Sequence, residues 1–199
     1  MLALTVWQPW AASIAWLGKD VENRPWPVPR TVTGDIAIHA AQKIDGSFPG
    51  VALPAAGYPP ASGVVHDEFR RLFASPAEME AWRRWCLGYK PRDEGNWPRK
   101  LALGAVVAVA RIADWHACSP DAEVRCGRYG DWSWIDPQCR PGYCSAWAAG
   151  SGWHWRLTRV RPLAVPVPCR GHQRMWPLPA DVDAAVCAQL TKETSRGNA

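Results

Sequence analysis

No stretch of the chain approaches the roughly 18 consecutive apolar residues of a membrane-spanning helix, so neither a span nor a membrane partner is expected. The first residues carry no basic cluster and include Gln8 and Pro9, which argues against a secretory leader. The seven cysteines are an odd number and lack the spacing of a disulfide-stapled small domain. Reduced thiols and a cytoplasmic location are therefore expected. There is no Gly-rich phosphate loop, no Ser-His-Asp order, no paired-carboxylate motif and no internal repeat. No cofactor is expected. One local absence is more informative. Between Arg156 and Arg174 there is no acidic residue, while Arg156, Arg159, Arg161, Arg170 and Arg174 all fall there. The bland account is a solvated basic face. The functional one is a track for a phosphate backbone.

What is present fits one globular domain. The 199 residues are 48% apolar and 21% charged, with a net charge of +5. Fourteen tryptophans are the outlier. A tryptophan is a large apolar body suited to a core, but exposed indoles also act as stacking platforms for single-stranded nucleic acid. Both the charge and the aromatic surplus suit a polyanionic partner.

The start of the chain concentrates unusual chemistry. Leu2 to Val6 reads as a short buried strand. Pro9 suits the first turn of a helix, and Trp10, Ala11, Ile14, Ala15 and Leu17 give that helix an apolar stripe. Gly18 can take the left-handed conformation that ends it. Pro25, Pro27 and Pro29 then favour extended geometry, in which alternate side chains share a face. Glu22, Arg24 and Trp26 should point the same way, with Lys19 just upstream. An Arg–Glu pair that merely pins the strand is the plain reading. The sharper one is a polar mouth at which Glu22 accepts from a base amino group and Arg24 binds phosphate or stacks. Trp7, Gln8 and Trp26 flank this mouth as candidate walls, whereas Trp10 is expected in the core.

Further along, Asp35–Ala40 reads as a strand interrupted by His39, and residues 42–61 as a long loop. A helix is expected over 64–73, and Ser75-Pro76-Ala77-Glu78 is a capping box that opens another. Together they suggest a helical insertion at about 62–88. The stretch Leu101–Asp114 is the clearest central strand, and 115–146 an irregular excursion. Trp153–Val160 alternates as a half-buried strand, Leu163–Cys169 is a Pro-broken edge, and Pro179–Leu190 is a last helix. Residues 1–190 form one domain in this reading, and 191–199 a disordered tail.

His39 and His154 can donate hydrogen bonds or exchange protons near neutral pH, although a strand histidine is more often a satisfied core residue. Cys118, Cys126, Cys139 and Cys144 stand near His116, with seven, twelve and four residues between successive cysteines. Without a close Cys-x-x-Cys pair this is a poor zinc signature, and no metal is expected.

The order Gly18-Lys19-Asp20-Val21-Glu22-Asn23-Arg24 resembles the Gly/Lys–Glu–Arg motif of the ASCH domain family, part of the PUA-like superfamily. Gly34–Ala40, Leu103–Ala110, Ser145–Ala148 and Trp153–Trp155 resemble its later barrel segments. The resemblance implies an α+β fold with a mainly β core. The fold it implies is a PUA-like β-barrel of five to seven mixed strands, with a helix after the first strand, a helical insertion and a C-terminal helix. It implies binding of RNA, single-stranded nucleic acid or a modified nucleotide beside the first helix, by Trp7, Gln8, Lys19, Glu22, Arg24, Trp26, His39, His154 and Arg156. Small family members resemble amidohydrolases of acylated cytidines, with a Thr nucleophile where Glu22 stands here. The alternative is therefore a hydrolase, on RNA or acylated cytidine, using Lys19 and Glu22 as acid–base groups.

Overall fold

The computed structural model describes residues 1–45, 72–86, 99–118, 145, 147–148 and 152–196. These form six strands and three α-helices: β1 (Leu2–Gln8), α1 (Trp10–Trp16), β2 (Val21–Arg24), β3 (Asp35–Ile44), α2 (Pro76–Cys86), β4 (Ala105–Cys118), β5 (Gly152–Pro168), β6 (Met175–Pro177) and α3 (Ala180–Arg196). The sheet order is β2-β5-β4-β3-β1-β6. Its one parallel pair, β1 with β3, is the pair that needs a crossover, and α1 lies within that connection. The fold is α+β with a mainly β core.

Alternation along the strands gives the sheet two apolar faces. Leu4, Val6, Ile36, Ile38, Val107 and Trp155 pack on one face with Ile14 and Ala15 of α1. Ala3, Ala37, Val106, Val109 and Leu163 pack on the other with Val182, Val186 and Leu190 of α3. Each fully buried aliphatic side chain contributes on the order of 1.5–3 kcal/mol, so these two layers dominate the fold's stability. Gly18 ends the α1 segment at φ +71°, the left-handed conformation expected of it.

The sheet curls into a half-barrel. Arg24 at the end of β2 donates from Nη2 to the Thr5 carbonyl of β1 at 2.8 Å, although β2 and β1 lie four places apart in the sheet order. A side chain thus spans a gap that no backbone ladder closes.

Several boundaries differ from those read in the sequence. Residues 115–118 belong to β4, because Trp115, His116 and Ala117 continue the ladder opposite Trp155, His154 and Trp153. Strand β3 extends through Ile44 into the expected loop. The segments 153–160 and 163–169 are one strand, bent where Arg159 adopts φ 48°. Only the first part of β5 pairs with β2, so its prolines fall where no strand lies on that side. There Gln189 substitutes for a strand, accepting from Val165 N–H at 3.0 Å and donating to its carbonyl at 2.8 Å. Helix α3 continues to Arg196, into the stretch expected to be disordered. Polar residues extend a helix once it is nucleated, and the Thr191 hydroxyl donates to the Cys187 carbonyl at 3.0 Å. In the capping box Ser75 Oγ accepts from Glu78 N–H at 3.2 Å, and the Glu78 carboxylate accepts from Ala74 N–H at 2.8 Å.

The expected helix over 64–73 lies almost wholly outside the described residues, as does most of the excursion to 146 with Cys126, Cys139 and Cys144. Among the described residues no helix is long and apolar enough to cross a membrane.

Candidate functional site

Glu22 lies in β2 opposite Trp155 and is 5% exposed; Lys19, just before the strand, is 3% exposed. Lys19 Nζ stands 3.0 Å from Glu22 Oε2, and Arg24 Nη2 stands 2.9 Å from Oε1. Lys19 also donates to the Val21 carbonyl. The chain brings these groups together because Lys19 follows the Gly18 turn and Glu22 and Arg24 share one face of a strand. Two cations meet one carboxylate, so the cluster carries an excess positive charge. The Arg24 guanidinium carbon lies 6.0 Å from the Trp26 ring centre. Trp26 packs edge-on against Trp155 at 4.6 Å, and its carbonyl accepts from the Trp155 indole N–H at 3.2 Å. Lys19, Glu22, Arg24 and Trp26 therefore converge.

The other candidate residues lie elsewhere. Gln8 is fully buried and committed internally: its amide donates to the Ala102 carbonyl at 2.8 Å and its oxygen accepts from Ala12 N–H at 3.1 Å. It ties α1 to the turn before β4. His154 pairs in register with Asn23, one residue out of phase with Glu22, so it lies on the opposite face of the sheet. It stacks edge-on with His116 at 5.4 Å, and Arg156 is exposed on that same face. Among the described residues no group of three or more His, Cys, Asp or Glu side chains is placed to hold a metal.

His39 belongs to a third place. It lines a groove of about 990 Å³ between the ends of β1 and β3 and the segment 168–173 that follows β5. Its Nε2 lies 3.1 Å from the Cys169 carbonyl. A carbonyl only accepts, so Nε2 carries the hydrogen and Nδ1 has a lone pair in the neutral ring. Nδ1 is buried without a partner. Burial lowers the His39 pKa from 6.5; the Cys169 carbonyl opposes that shift, and the positive charge of nearby His172 adds to it. Gly171 presses on the ring: a Cβ there would lie 2.4 Å from Cε1 and 2.7 Å from Nδ1. The groove also presents Lys43 and Arg170, and no described residue lining it is acidic. Lys43 sits 4.0 Å over the Trp7 ring, which is 44% exposed. So Trp7 stands at this groove's edge through Lys43.

Sequence reasoning did not find the groove. Residues 5, 39, 43 and 168–173 meet only through strand pairing, and no local pattern marks them. It also missed the Arg111–Asp35–Arg161 bridge, with contacts of 2.7 and 2.5 Å, which removes Arg161 from any free basic track.

No family model matches the chain, and no curated protein matches it.

Proposed function

We propose that the chain binds RNA, or a nucleotide carrying a modified base, at the mouth formed by Lys19, Glu22, Arg24 and Trp26. The observation that carries this reading is the convergence of Lys19 and Arg24 on Glu22 at 3.0 and 2.9 Å beside an indole. The surplus positive charge attracts phosphate. Glu22 has lone pairs beyond the two its partners use, and these accept from a base amino group. Trp26 supplies an aromatic wall of the kind on which bases stack. The motif order that resembles the ASCH family and a PUA-like barrel supports the same reading.

Arg24→Lys tests it. An ammonium cannot make the planar, two-pronged contact of a guanidinium, so nucleotide affinity should fall while the fold persists. Glu22→Gln should redirect ligand choice, since a lost charge-assisted bond is worth about 1.5–3 kcal/mol. Affinity and melting temperature are measured on the same variants. Lower stability with unchanged affinity would show that the cluster only braces β2, and the reading would fall.

The Lys19–Glu22 contact also favours a second reading, in which the pair shuttles protons in hydrolysis of RNA or acylated cytidine. Turnover of either substrate that disappears in Lys19→Ala would select it.

A further inference from the structure

The groove beside His39 shares no side chain with the mouth. Elsewhere in the described structure carboxylates collect cations: Glu22 holds two and Asp35 holds two arginines. Lys43 and Arg170 have no such partner among the described residues, yet both line one cavity. Unpaired cations in a groove whose described lining holds no acidic residue favour an anion. The volume is within the range of small-molecule sites, about 300–1,000 Å³.

His39 narrows the ligand further. Its Nε2–H is committed to the Cys169 carbonyl, so the atom left over, Nδ1, is an acceptor. A buried acceptor without a partner costs about 1–3 kcal/mol, which a suitable ligand would recover. The oxygens of a fully ionised phosphate are acceptors themselves and cannot serve it. A hydroxyl or amino group can. Gly171 packs against the Nδ1 edge, where a Cβ would stand 2.7 Å from that nitrogen, so a ligand donor reaches Nδ1 by displacing the Gly171 backbone rather than a side chain. At the rim, Lys43 lies 4.0 Å over the half-exposed Trp7 ring. If Lys43 turns toward a phosphate, the ring is free to stack a base.

The geometry points to a second binding site here, for a phosphorylated ligand with a hydroxyl or amino donor near its phosphate, the chemistry of a nucleoside monophosphate unit. Lys43 and Arg170 hold the phosphate, and His39 Nδ1 accepts from the sugar or base. This site does not depend on the reading of the mouth.

Calorimetric titration of the full chain at low salt with adenosine 5′-monophosphate and with inorganic phosphate tests it. The nucleotide should bind at least about tenfold more tightly than phosphate, and the Lys43→Ala, Arg170→Ala double variant should lose at least about tenfold, as expected for charge-assisted bonds. Both residues are exposed, so an unchanged melting temperature should confirm that the variant folds. Nitrogen NMR of the histidines should show the His39 Nδ1 signal move on titration. Equal affinity for phosphate and nucleotide would overturn the role of His39. Undiminished affinity in the double variant would overturn the site, whereas loss in Arg24→Lys alone would place the nucleotide at the mouth. A short single-stranded RNA that displaces the nucleotide from the groove identifies a strand as the source of this unit, and one that does not identifies a free nucleotide; either supports the groove.

Discussion

The Cys169 carbonyl takes the Nε2 hydrogen of His39, so a second proton must go onto a buried Nδ1 with no partner to receive it. Burial lowers the pKa from 6.5, the nearby charge of His172 lowers it further, and the Cys169 carbonyl partly offsets both. The consequence for stability has a definite sign. Above 6.5 the ring is neutral whether the chain is folded or not. As pH falls below 6.5 the unfolded chain takes up a proton that the folded one refuses, and stability drops until the lowered folded pKa is passed. Denaturant unfolding at about pH 7.5 and about pH 5.5 should show the loss, and His39→Gln should shrink it. Gln retains a donor for Cys169 and does not titrate. An identical pH dependence in both proteins would remove His39 as its source. Gly171 is coupled to the same ring. Gly171→Ala drives a methyl to 2.4 Å from Cε1, where a buried ring has little room to retreat. A destabilisation of about 1–3 kcal/mol is expected, read as a lower melting temperature. An unchanged melting temperature would show that the 168–173 segment yields instead.

At the scale of elements, the parts legible in the sequence were those fixed by neighbours in the chain. The Ser75–Glu78 capping box announces α2 because both partners lie within one turn. Ser75→Ala removes the acceptor for Glu78 N–H and should cost about 1 kcal/mol, with faster amide exchange confined to the first turn. Exchange rising equally throughout the sheet would mean that the cap supports the whole domain. Lys19, Glu22 and Arg24 were legible for the same reason, Lys19 lying three residues before Glu22 and Arg24 two residues after it on the same strand. The extent of β4 was not. Trp115, His116 and Ala117 look irregular alone and become strand only when β5 lies alongside. The single bent β5 was hidden by its prolines, which read locally as a break. Its free side and the Gln189 contact that covers part of it come from distant chain.

At the scale of the whole molecule, the strand register decides how much of the basic character acts together. The five arginines from Arg156 to Arg174 look like one track in the sequence. The fold disperses them. Arg156 stands on the face of His154, Arg161 shares Asp35 with Arg111, and Arg170 lines the groove of His39. Alternation along β5 and the bend at Arg159 produce this separation; the alternation over 153–160 is legible in the sequence, but the bend and the pairing partners are not. The dispersal has a measurable consequence for RNA affinity. Each phosphate contact to a single strand contributes about 0.7 to the slope of log affinity against log salt, so five arginines acting as one track would give about −3.5. Contacts limited to two cations, as at the groove with Lys43 and Arg170 or at the mouth with its Lys19 and Arg24, give about −1.4. Titration of a short single-stranded RNA across a range of salt should therefore return a shallow negative slope, and the Lys43→Ala, Arg170→Ala variant should flatten it if the strand occupies the groove. A slope near −3.5 would show that the arginines converge on the ligand despite their separate faces. A slope of zero would remove the phosphate from recognition and leave the tryptophans to account for binding.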